Sequence, residues 1–193
     1  MNKYIVEFIG TFFLVLTIGL TVLAGGTGVI PPLAIGAALM VMIFAGGHVS
    51  GAHFNPAVTL AVWMRGRCDA KDVVPYWVSQ IAGAVVAALA VKFLRPSASP
   101  TVMNPAVGPA LLAEFLFTFA LAWVVLNVAT AKANSGNSFY GLAIGMTVMT
   151  GAFAVGDISG GVFNPAVAVG ISVLGLSSWS NLWIYLLADL AAG

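Results

Sequence analysis

Apolar residues along this chain come in long blocks, not in the short alternation of a half-buried strand. Blocks with at most one charged residue run from Tyr4 to Ala24, Val29 to Gly47, Val73 to Leu94, Pro109 to Ala131 and Phe139 to Gly156. A helix needs ~20 apolar residues to cross ~30 Å of hydrocarbon, so these blocks predict membrane spans. A further apolar block begins near Trp179 and reaches Gly193. Its length, at about 1.5 Å per residue, covers only ~22 Å, so the chain is expected to end inside its last helix. No small-residue cleavage site comes after a short apolar run at the start, so the first block reads as a span and not as a removable leader.

Composition agrees with that pattern. With 61% hydrophobic and 7% charged residues and a mean hydropathy of +1.05, the 193 residues have too little polar surface to cover a soluble globule. The net charge is +1 and no basic cluster tracks a helix face, so nucleic acid is not an expected partner. Basic residues set the orientation, because positively charged loops stay in the cytoplasm. With the amino terminus inside, Lys3, Arg65, Arg67, Lys71 and Lys132 are cytoplasmic, against Lys92 and Arg95 outside. A multi-pass protein of the cell membrane is expected. The single cysteine, Cys68, excludes an internal disulfide and sits in a polar connection, and no metal-ligand cluster is expected.

The chain repeats itself. Leu33 to Val62 set against Leu142 to Ile171 gives fifteen identities in thirty positions, including "LAIG" at the start and "FNPAV" at Phe54 and Phe163, an offset of 109. The first span joins in at an offset of 107, where "EFIGTFFL" from Glu7 echoes "EFLFTFAL" from Glu114. The chain is therefore one domain over 1–193 made of two repeats, about 1–96 and about 107–193, each with three spans and one short segment. An odd number of spans per repeat makes the halves inverted in the membrane. Inverted repeats place functional groups near the bilayer midplane, on interrupted helices whose ends face a cavity.

The short segments, Asn55 to Met64 and Asn164 to Leu174, suit that role. Each opens with Asn as N-cap and Pro at the first helical position, where the missing N–H costs nothing. Each is preceded by a glycine-rich polar run, "GGHVSGAH" or "VGDISGG", which is expected to be non-helical. Such backbone is tolerated at membrane depth only if buried in protein or lining a watery path. Two half-helices dipping in from opposite faces and meeting at their Asn-Pro ends are predicted.

With "GHVSGAHFNPAVT" at Gly47 to Thr59, a second "NPA" at Asn164 to Ala166, "EFIGTF" from Glu7 and "SQIAG" from Ser79, the sequence resembles the aquaporins, the major intrinsic protein family, over essentially its whole length. The resemblance implies an all-α membrane fold of six tilted helices and two re-entrant half-helices. It also implies one narrow pore per subunit, a homotetramer, passage of water and small neutral solutes, and neither enzymatic activity nor a cofactor.

Under that resemblance the pore motif is Asn55, Pro56 and Ala57 with Asn164, Pro165 and Ala166. Half-helix amino termini each carry about half a positive charge and repel cations. The two asparagine amides can donate to a passing water and interrupt a proton-conducting chain. The backbone carbonyls of Gly51, Ala52, His53 and Phe54, with Gly160, Gly161, Val162 and Phe163, fit a ladder of acceptors. Glu7 and Glu114 are intramembrane carboxylates, read either as a proton relay or, as in similar family residues, as acceptors for the buried N–H groups of the two re-entrant loops. Gln80 is expected to do related work, and His48 to brace its turn. His53 is expected beside the cytoplasmic vestibule.

The sequence departs from the family at the outer constriction. Positions aligned outward from the motifs are Ile35, Ala152, Gly161 and Val167, where water-selective members resemble one another in Phe, His, a small residue and Arg. Losing Arg deletes five donors and a fixed charge. The expected result is a wider, more apolar constriction that passes ammonia, urea, glycerol or hydrogen peroxide as well as water. A strictly water-selective channel and a secondary transporter are the competing readings. The transporter is disfavoured by neutral asparagines at the midplane, where coupled transport needs carboxylates. Asp157 and Asp189, the latter where the family often has proline, are expected to cap a loop and to be buried with a hydrogen bond.

Overall fold

The computed structural model describes residues 2–23 and 28–193, so Ala24, the end of the first predicted span, lies outside the described residues. The helices are α1 (Asn2–Leu23), α2 (Ile30–Ser50), α3 (Pro56–Met64), α4 (Ala70–Leu94), α5 (Val107–Val125), α6 (Tyr140–Ser159), α7 (Pro165–Leu174) and α8 (Leu182–Ala192). A π-helical turn, Leu126–Thr130, prolongs α5. Five of these, α1, α2, α4, α5 with its π turn, and α6, are long and apolar enough to cross a membrane. The protein is an all-α integral membrane protein. Each long helix buries only a stripe and leaves large apolar side chains such as Phe93, Trp123 and Leu112 exposed, as a lipid-facing surface requires.

One expectation about the polar runs fails. Gly46 to Ser50 and Val155 to Ser159 are helical, forming the last turns of α2 and α6, and the irregular backbone begins only beyond them. Gly51 and Gly160 end the two helices in the left-handed region, at φ 84° and 97°, and donate their N–H to Gly47 O and Gly156 O. Gly46, inside the first run, is there for close packing. A Cβ at this position would lie 2.6 Å from Val6 Cγ1.

Within the first half α1 packs on α2 and α4, and within the second α5 packs on α6 and α8. The halves join through α2 against α6 and α4 against α7. At the α2–α6 crossing the backbones touch: a Cβ on Gly145 would come within 2.5 Å of Gly36 O, and one on Gly36 within 2.8 Å of Gly145 O. Small residues let helices approach where apolar burial supplies no driving force in lipid. On one face, Lys3 and the Tyr4 hydroxyl hold Asp72 at 2.5 and 2.7 Å, tying the starts of α1 and α4. On the opposite face, the connection before α5 is pinned to the end of α7 by Met103 N–H donating to Leu176 O at 2.9 Å.

Candidate functional site

The half-helices α3 and α7 start where the sequence places their caps. Asn55 Oδ1 accepts from Ala57 N at 2.9 Å, and Asn164 Oδ1 accepts from Ala166 N at 2.9 Å and Val167 N at 3.4 Å. Each asparagine is extended and buried. Their amide nitrogens cross the junction: Asn55 Nδ2 donates to Phe163 O at 2.8 Å, and Asn164 Nδ2 donates to Phe54 O at 2.9 Å. This reciprocal brace changes the expected carbonyl ladder. Phe54 O and Phe163 O each spend a lone pair on the opposite asparagine, and among the described residues each asparagine keeps one amide N–H uncommitted.

The backbone leading into each cap is forced. Ala52 and Phe54 have φ 51° and 50°, and Phe163 has φ 49°, with Gly161 at 62° in the place equivalent to Ala52. A non-glycine residue in the left-handed region costs roughly 1–3 kcal/mol. Charge-assisted hydrogen bonds, worth about 1.5–3 kcal/mol each, hold it there. Glu7 accepts from His53 N at 3.0 Å, Phe54 N at 2.7 Å, Ser50 Oγ at 2.7 Å and Gln80 Nε2 at 2.8 Å. Glu114 accepts from Val162 N at 3.0 Å, Phe163 N at 2.6 Å and Ser159 Oγ at 2.5 Å. Both carboxylates are fully buried, and their loop-facing oxygens are committed to these donors.

Two tyrosines that the motifs do not mark complete each bend. Tyr76 Oη donates to Ser50 O at 2.7 Å and Tyr185 Oη to Ser159 O at 3.0 Å, each across to the last helical residue before the irregular loop. Their spacing is again 109, so the repeat carried the signal. Trp77 Nε1 also donates to Pro56 O at 3.1 Å. His48, expected to brace its turn, is exposed on the last turn of α2, and the bracing contacts come from Ser50 and Tyr76.

The caps open onto a cavity of about 460 Å³. Its wall brings together Asn55, Asn164, Ile35, Ala152, Gly161 and Val167, with apolar side chains from α1, α2, α5 and α6 over most of the remainder. Gly161 is pressed against α6, where a Cβ would lie 3.2 Å from Ala152 Cα. Asp157 is exposed at this mouth, and Met103 reaches the same wall. A second, open cavity on the face carrying Lys3 is lined by His48, Cys68, Asp72 and Lys132. His53 touches both cavities, with Nδ1 3.2 Å from Thr59 Oγ1 and its ring 5.0 Å from that of Tyr76. Among the described residues no cluster of side chains suited to a metal ion occurs.

The sequence profile of the major intrinsic protein family matches residues 1–193. A protein named glycerol uptake facilitator protein-like 6, from Lactiplantibacillus plantarum, is 40% identical over 97% of this chain and 91% of its own length. Aquaporin NIP1-3 of Oryza sativa subsp. japonica is 37% identical over 96% of this chain and 68% of its own. The X-ray structure of the aquaglyceroporin from Plasmodium falciparum superposes with a TM-score of 0.80 at 24% identity, covering 99% of this chain and 89% of that one. That likeness concerns the fold.

Proposed function

The chain belongs to the major intrinsic protein family, and from that premise we propose that it is a passive channel for water and for small uncharged solutes such as ammonia, urea, glycerol or hydrogen peroxide, closed to protons and ions. The observation that carries this reading is the junction of two Asn-capped half-helices inside one largely apolar cavity. Each amino terminus presents about half a positive charge, and the two oppose each other at the narrow centre. A cation or a hydrated proton meets that field in a low-dielectric wall, whereas a neutral solute does not.

A water at the junction accepts from the free amide N–H of Asn55 and of Asn164. Its own hydrogens then point away along the file, and the chain of donors that a proton needs is broken there. Backbone carbonyls of Gly51, Ala52, His53, Gly160, Gly161 and Val162 supply acceptors on either side of the junction, while Phe54 and Phe163 carbonyls serve chiefly the brace. The wider solute range comes from Ile35, Ala152, Gly161 and Val167, which offer no guanidinium, imidazole or aromatic ring to narrow the path or hold a fixed charge. Similarity to a chain named for glycerol uptake supports the same range. The channel works as a homotetramer, with Lys3, Arg65, Arg67, Lys71 and Lys132 on the cytoplasmic side of the cell membrane.

The test is a permeability panel in proteoliposomes for water, ammonia, urea, glycerol and hydrogen peroxide, run on the wild type and Val167→Arg. Water flux without proton current, together with flux of at least one other solute that Val167→Arg reduces, is expected. Flux of water alone overturns the solute range. Dependence on a proton or sodium gradient overturns the channel.

A further inference from the structure

The two re-entrant loops are held by equivalent sets of residues, with one substitution. At the offset of 109, Ser50 pairs with Ser159, Phe54 with Phe163, Tyr76 with Tyr185, and Gln80 with Asp189. In the first half Gln80 Nε2 donates to Glu7 Oε2 at 2.8 Å, the fourth donor to that carboxylate. In the second half the residue in the same place is itself an acid. Asp189 is fully buried on α8, which packs against α5, and its Oδ1 accepts at 3.0 Å from Thr118 Oγ1, one helical turn beyond Glu114 on α5. Its Oδ2 has no donor among the described residues.

We propose that Asp189 is a positioning residue for the second half of the pore, carrying a proton on Oδ2 that it donates to Glu114 as Gln80 donates its amide to Glu7. Two buried carboxylates on packed helices, both stripped of water, repel, and the second oxygen of Asp189 has no donor among the described residues to stabilise a charge. Among the described residues no cation offsets the repulsion. The helices packed on α8 are α5, α7 and α3, and the ionisable residues these and α8 itself bring are Glu114 and Tyr185. Tyr185 spends its proton on Ser159 O. One proton between the two carboxyls turns the repulsion into a hydrogen bond. It is assigned to Asp189, because both oxygens of Glu114 already accept from Ser159, Val162 and Phe163 whereas Oδ2 of Asp189 has no donor among the described residues.

This inference rests on the reading of the second loop as pore wall only where conduction is concerned, and the decisive measurement is independent of conduction. Infrared spectra of the purified protein at neutral pH are expected to contain the C=O stretch of a protonated carboxyl, lost in Asp189→Asn. In proteoliposomes Asp189→Asn, which keeps a neutral donor of the same size, retains wild-type water flux. Asp189→Leu, which has no donor, loses about tenfold. A wild-type spectrum without the protonated carboxyl, or with one that survives Asp189→Asn, overturns the proposal whether or not the protein conducts. Wild-type flux in Asp189→Leu overturns the positioning role.

Discussion

Glu7 and Glu114 sit on spans as single charges, and the structure spends both on backbone N–H groups that no helix can satisfy. The reason is local geometry: residues with φ near +50° cannot continue a hydrogen-bond ladder, so a side chain must supply the acceptor. Glu7→Leu therefore strands the N–H groups of His53 and Phe54, and a loss of about 3 kcal/mol is expected, read as a lower unfolding temperature in detergent. Cys68 offers a second check. Burial pushes its thiol up from the ordinary value, with Asp72 adding to the effect, so little thiolate exists at neutral pH. Alkylation is expected to be slow there and to quicken as pH rises, since the reactive form grows toward the raised pKa. Because Cys68 lines the open vestibule and not the walled cavity, the alkylated protein is expected to keep its water flux.

At the level of elements, each half-helix is a start signal leading into a short apolar run. Asn caps it, Pro opens it, and the Asn amide reaches the other half. Capping and bracing use different atoms of the same side chain, and this separates them experimentally. Asn164→Asp keeps an Oδ acceptor for the cap while deleting the donor to Phe54 O and placing negative charge where two helix termini are positive. A rise in proton or cation conductance is expected, measured with a pH-sensitive dye trapped in proteoliposomes. Unchanged ion exclusion in that variant would mean the half-helix field is not the barrier.

At the level of the whole molecule, α1 to α4 and α5 to α8 repeat one arrangement, joined where α2 crosses α6 and α4 meets α7. The broad exposed apolar surface is shared between lipid and neighbouring copies under the homotetramer reading. Native mass measurement in mild detergent is expected to give four chains, and a monomer that conducts at full rate would remove the need for assembly.

The spans, the duplication and the two Asn-Pro starts were legible because each is local: apolar length, word-for-word repetition and cap chemistry need no knowledge of distant contacts. The boundary between helix and loop was not. Gly46 to Ser50 reads as a loop from its glycines and polar residues, yet tight packing against α1 keeps it helical. The site was legible as a roll of residues but not as a geometry. Only folding brings Asn55 to Phe163 O, 108 positions away, and Asp189 to Thr118, one turn from Glu114 on α5, so that a substitution that looks like an isolated oddity in the last helix meets the helix that carries the second loop's carboxylate. Sequence alone determined that two half-helices of this chain must dip into the membrane. Tertiary structure decided which lone pairs and protons remain for anything passing between them, because hydrogen-bond commitments across the junction depend on distances that no local pattern encodes.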